Sequence, residues 1–121
     1  MINRLPVGID PVFEFVVKRN DGQWFDLTTV TRYVCVVSKA TTSGEVLASL
    51  DSTIDSSRFN IDTAGHIVKV QLFTDEATPE SGSYWVNLWV YTGVIKTTHL
   101  SVVYEVENAP QPQPTSGHSG S

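Results

Sequence analysis

Apolar and polar residues alternate along most of this chain with a period of two, the signature of strands with one buried face. In VFEFVVK, residues 12–18, Phe13, Phe15 and Val17 fall on one side. Residues 30–38, VTRYVCVVS, are rich in β-branched side chains. Shorter strands are predicted over residues 45–50 and 58–62. HIVKVQLF, residues 66–73, alternates again, with Val68, Val70 and Leu72 on one face. Two long strands follow, over residues 84–91 and 96–107, joined at TGV. NDG, ATTSG, DSTIDSS and TAG are the intervening turn signals. TDEATPESG reads as a loop with room for one helical turn. A sustained 3.6-residue apolar period is missing throughout. About seven strands with frequent turns imply a β-sandwich, with a small barrel as the alternative.

The strand at residues 84–91 raises a question. Tyr84, Val86, Leu88 and Val90 make an ordinary core row, but the opposite row is Trp85, Asn87, Trp89 and Tyr91. A half-exposed strand should be polar there, and large aromatic patches are rarely left uncovered. Three arrangements satisfy the pattern. The loop QWFDLTT or the C-terminal segment folds over the row; the row binds another protein; or its rings stack on sugars. In the last strand, Leu100, Val102, Tyr104 and Val106 form one row, while Ser101, Val103, Glu105 and Glu107 form a mostly polar one.

From residue 108 the composition changes. NAPQPQPTSGHSGS cannot bury apolar surface, so residues 109–121 are read as an extended tail beyond a domain at residues 1–108.

A chain of 121 residues makes one domain. Its net charge of −5, with no basic patch, argues against a nucleic-acid partner. The single cysteine, Cys35, excludes an internal disulfide and sits in the apolar run YVCVV, where a buried inert thiol is expected. MINRLPVGIDP lacks the apolar run of a signal peptide, and no stretch is long enough to span a membrane. His66, His99 and His118 are not spaced as metal ligands. Asp51, Asp55, Asp62, Asp75 and Glu76 do not match a calcium loop. GHSGS approaches a nucleophile elbow but lacks its last glycine and the flanking strand and helix. No catalytic residue, metal or cofactor is expected.

PESGSYWV resembles the opening of strand F in immunoglobulin-like domains, with Tyr84 as the corner tyrosine and Val86 where a disulfide cysteine would stand. FEFVVKRNDGQWFDLTTVTRYVCVV is similar to the start of the immunoglobulin-like domain at the N-terminus of phage baseplate upper proteins. Lys18, Asp21, Gly22, Asp26, Leu27 and Thr28 carry that likeness, and FNIDTAGHIVKVQLFTDEATPESGSYWVNLWVYTGVIKTT continues it, so that it spans residues 8–107. The resemblance implies a non-catalytic structural part of a virion, made in host cytoplasm, that attaches to tail, baseplate or capsid. The family usually continues into receptor-binding domains, and this sequence does not.

The combined expectation is an all-β, immunoglobulin-like antiparallel sandwich. Its partners would be other virion proteins and further copies of itself. The expected interface is Trp85, Asn87, Trp89 and Tyr91 with Pro110, Pro112 and Pro114 of the tail. The alternative is a carbohydrate-binding module that uses the same tryptophans on host surface glycan.

Overall fold

The computed structural model describes residues 3–19, 21–41 and 44–107. The expected tail at 109–121, with Pro110, Pro112 and Pro114, lies outside the described residues.

Alternation places Phe13 and Phe15 inward on β2 (Val12–Val16), while Val12, Glu14 and Val16 point out. β2 pairs with β6 (Ile67–Gln71), which pairs with β5 (Phe59–Asp62), giving an antiparallel three-stranded sheet. The facing sheet has five strands in the order β1 (Asn3–Pro6), β8 (Ile95–Glu107), β7 (Gly82–Thr92), β3 (Arg32–Lys39) and β4 (Val46–Asp51). The two sheets enclose one core. Tyr33, Cys35 and Val37 of β3 and Tyr84, Val86, Leu88 and Val90 of β7 meet Phe13, Phe15, Val68 and Val70. The row expected to be core on β7 is therefore core, and the molecule is an all-β sandwich.

Two features depart from the sequence reading. There are eight strands among the described residues, because NRLP forms β1. Leu5 packs on the core, but it is the one apolar side chain in NRLP, so no period announces the strand. The sandwich is also not antiparallel throughout: β1 runs parallel to β8, with Asn3 beside Tyr104 and Pro6 beside Glu107. Pro6 is tolerated because it ends an edge strand.

The connections follow local chemistry. Gly22 turns the chain at φ +85°, and the Asp21 side chain accepts from the Gln23 N–H at 3.0 Å. Asp26 caps a short 3₁₀ turn (Leu27–Thr29), accepting from the Thr28 N–H at 3.0 Å and its hydroxyl at 2.6 Å. The expected single helical turn is α1 (Thr74–Ala77). It is pinned from several sides. Thr78, fully buried, donates its hydroxyl to the Ile9 carbonyl at 2.7 Å. Arg58 pairs with Glu76, donates to the Gln71 carbonyl and stands over the Phe73 ring. Two tyrosine hydroxyls reach the same corner: Tyr104 donates to the Ala77 carbonyl at 2.8 Å and Tyr84 to the Glu80 carbonyl at 2.7 Å.

These hydroxyls differ in what their loss exposes. Tyr104→Phe strands a buried carbonyl and should cost about 1–3 kcal/mol, whereas water can replace Tyr84 at Glu80, so Tyr84→Phe should cost about 0.5–1.5 kcal/mol. The Tyr33 hydroxyl is buried with no hydrogen-bond partner, so Tyr33→Phe should leave stability unchanged or raise it. Urea unfolding of the three variants, with equal slopes, checks the order.

Candidate functional site

The outward row of β7 lies on the solvent side of the five-stranded sheet, and no described strand covers it. The loop QWFDLTT does not fold over it. That loop lies along the other sheet: the Phe25 N–H donates to the Val17 carbonyl, and the Phe25 carbonyl receives Nδ1 of His66 at 2.9 Å. Trp24 stacks on His66, with 4.9 Å between ring centres, under the Lys18 ammonium. His66 holds a left-handed backbone, φ +57°, which these two contacts brace. Of the three arrangements open to the sequence, cover by this loop is thus removed; cover by the C-terminal segment falls outside the described residues.

The structure brings Trp85, Asn87, Trp89 and Tyr91 together as one stripe, flanked by side chains from both neighbouring strands. Opposite Trp85 stand Ser38 of β3 and Val103 of β8; opposite Asn87, Val36 and Ser101; opposite Trp89, Val34 and His99. The His99 ring lies nearly parallel to Trp89 at 3.7 Å between centres, and its Nε2 meets Oδ1 of Asn87 at 2.9 Å. The Lys96 ammonium stands 4.7 Å from the Trp89 ring centre. Trp89, Lys96, Thr97, Thr98 and His99 line a shallow depression of about 240 Å³. Arg32 lies 5.0 Å from the Tyr91 ring and donates through both Nε and Nη2 to Asp51, at 2.8 and 2.6 Å. Trp85 differs from the others. It is 41% exposed and has no ring or cation partner among the described residues.

Arg32, Lys96 and His99 complete this face; the sequence reading did not place them on it, weighing His99 only as a metal ligand. Strand alternation gives the side of Arg32 and His99. Lys96 breaks the parity: a bulge makes Val90 face Thr98 and Tyr91 face Lys96, leaving Thr97 over, its hydroxyl donating to the Val90 carbonyl at 3.1 Å. The extra residue turns Lys96 onto the outer face, beside Trp89.

The arrangement offers aromatic and aliphatic contact area with a cationic rim. No nucleophile–base pair is assembled on it. Cys35 is fully buried, and burial pushes its thiol up to about 12, so the thiolate is not formed at neutral pH. Among the described residues, no three His, Cys, Asp or Glu side chains stand together to hold a metal ion, and no helix is long and apolar enough to cross a membrane. No protein-family model matches the sequence, and none of the curated proteins compared with it matches either.

Hydrogen bonds from Arg32, then from the Thr53 N–H, hold the Asp51 carboxyl down to about 2. Its folded-state value lies below the ordinary carboxyl range, so its contribution to stability is complete above about pH 4 and is lost as pH falls toward about 2. Urea midpoints of Asp51→Asn should therefore fall less between pH 4 and pH 2 than those of the native chain. His99→Ala removes the ring on Trp89 and the partner of Asn87. It should cost about 1 kcal/mol and raise iodide quenching of tryptophan fluorescence.

Proposed function

We propose that the chain is an immunoglobulin-like adaptor or decoration module of a phage virion, non-catalytic, which binds virion proteins through the outer row of β7. The observation that carries the binding role is Trp85. A tryptophan left open at the end of an aromatic stripe is the residue type that anchors protein interfaces, and no ring or cation among the described residues stacks on it.

The strand order supports the immunoglobulin-like part. Strands β8, β7 and β3 with an added edge, over β2, β6 and β5, match the variable-type arrangement of a widened GFC sheet over a BED sheet. Tyr84 supports it too, because its hydroxyl bonds the backbone four residues upstream, at the position expected of a corner tyrosine. The virion part rests on the resemblance over residues 8–107. The residues carrying it build the β2–β3 connection: Gly22 and Asp21 make the turn, Asp26 and Thr28 make the cap, and Leu27 is buried. The likeness is thus one of scaffold, and the partner-binding role rests on the aromatic row.

The carbohydrate reading is disfavoured by Trp89. His99 occupies one of its faces and Lys96 stands over the ring, so a pyranose stacking there would have to displace a contact the chain already makes. Further copies of the same chain remain candidate partners for the row.

Because Trp85 is open, Trp85→Glu should shift stability by less than about 1 kcal/mol while weakening a partner contact by about tenfold or more. Virions carrying the native chain, banded on a density gradient and probed with antibody, should contain it, and virions made with the variant should lack it. Equal incorporation of a folded variant would refute the role of this face. A tryptophan-fluorescence response to soluble bacterial polysaccharide would favour the sugar reading.

A further inference from the structure

The outer face of the five-stranded sheet carries its unpaired charges at opposite ends. Arg32 is tied to Asp51, and Glu107 stands 3.9 Å from Arg4. Lys96 and Glu105 face outward on β8 and have no ion-pair partner among the described residues. Lys96 lies beside Tyr91 and Glu105 beside Ser83. Asn87 is midway, four residues from each of those positions on β7, and Trp85 and Trp89 flank it two residues to either side. About Asn87 the row is therefore symmetric in its large rings and opposite in charge.

A surface of this kind is complementary to itself. Let a second copy be turned about a two-fold axis that lies in the plane of contact, crosses the strands and passes by Asn87. The two β7 strands then run antiparallel, face to face. Asn87 meets Asn87 of the second copy. Trp85, without a ring partner in its own chain, comes over Trp89 of the second copy, and the reverse contact repeats it. The end bearing Lys96 comes over the end bearing Glu105, twice. Sheet twist turns facing sheets by about 30°, so the match is between the ends of the faces rather than between fixed atoms. The other two-fold packing, with the strands parallel, sets Lys96 of one copy over Arg32 of the other and leaves both Glu105 carboxylates unanswered. Charge thus selects the antiparallel arrangement. The area suits a reversible dimer. Four strands (β8, β7, β3 and β4) over Ser83–Tyr91 cover about 600 Å² at ordinary strand spacing and rise, the low end for one side of a specific interface.

We infer that the outer row of β7 is a dimer interface, on which a second copy of this chain packs face to face and antiparallel about Asn87, with Lys96 opposite Glu105. The inference rests on the reading of this row as a protein interface and names its occupant.

Sedimentation equilibrium on the full chain at low salt, up to about 1 mM protein, tests it. The native chain should pass from monomer to dimer as concentration rises. Lys96→Glu and Glu105→Lys should each weaken the dimer by about tenfold, because each sets like charges together at both ends. The double variant brings opposite charges together again and should recover most of the native affinity. Trp85→Glu should remain monomeric, with urea unfolding showing that every variant is folded. The inference is overturned if Trp85→Glu dimerises like the native chain, or if the double variant is no better than the single ones. It is also overturned if the native chain stays monomeric. Loss of Trp85→Glu from virions would then leave the row to another virion protein, and NMR contacts between Trp85 and residues 108–121 would give it to the chain's own C-terminal segment.

Discussion

The contact on which the rest of the structure depends joins Phe13, Tyr104 and Tyr84. Phe13 comes from one sheet and the tyrosines from the other, with 5.0 Å between the Phe13 and Tyr104 rings and 5.4 Å between the two tyrosines. Burial of rings this size supplies a large share of the apolar contact between the sheets. Both hydroxyls then leave the core at the same corner, where they bond the carbonyls of Ala77 and Glu80. One cluster thus fixes the distance between sheets, the position of α1 and the entry of β7 into its sheet. The β1–β2 link is held by the same corner, since the Thr74 and Thr78 hydroxyls donate to the Ile9 carbonyl.

That anchoring is what makes the outer face of β7 available. With the inward row fixed, Trp85, Asn87, Trp89 and Tyr91 have no choice of side. The neighbouring strands then treat them unequally. His99 and Lys96 contact Trp89, and Arg32, itself tied to Asp51, lies against Tyr91. These contacts shield part of the rings, and no described strand covers them. Directly opposite Trp85 among the described residues stand the short Ser38 and the aliphatic Val103, and the ring is 41% exposed. The stripe therefore runs from a self-supported end to a free one.

The two long edges of the five-stranded sheet also differ. β4 ends the sheet with Leu50 buried, while among the described residues β8 is paired on its outer side with β1 over Tyr104–Glu107.

Seven of the eight described strands could be read from the sequence, most of them because a buried or half-buried row keeps its period of two there. The single helical turn, the Asp-Gly turn and the buried thiol were legible for similarly local reasons. The opposed rows of β7 were legible as well, with Trp85, Asn87, Trp89 and Tyr91 on one side. Other features depend on how distant segments meet. β1 is a strand only because β8 is there to pair with it, since a single apolar residue in NRLP carries no period. Lys96 joins the aromatic face only because a bulge at Thr97 reverses the parity of the strand. The loop carrying Trp24 lies away from Trp85 and Trp89 because Val17 and His66 supply its backbone partners. Alternation along one strand determines which side chains share a face; whether that face is covered depends on pairing and packing between segments far apart in the chain, and only the tertiary structure decided it.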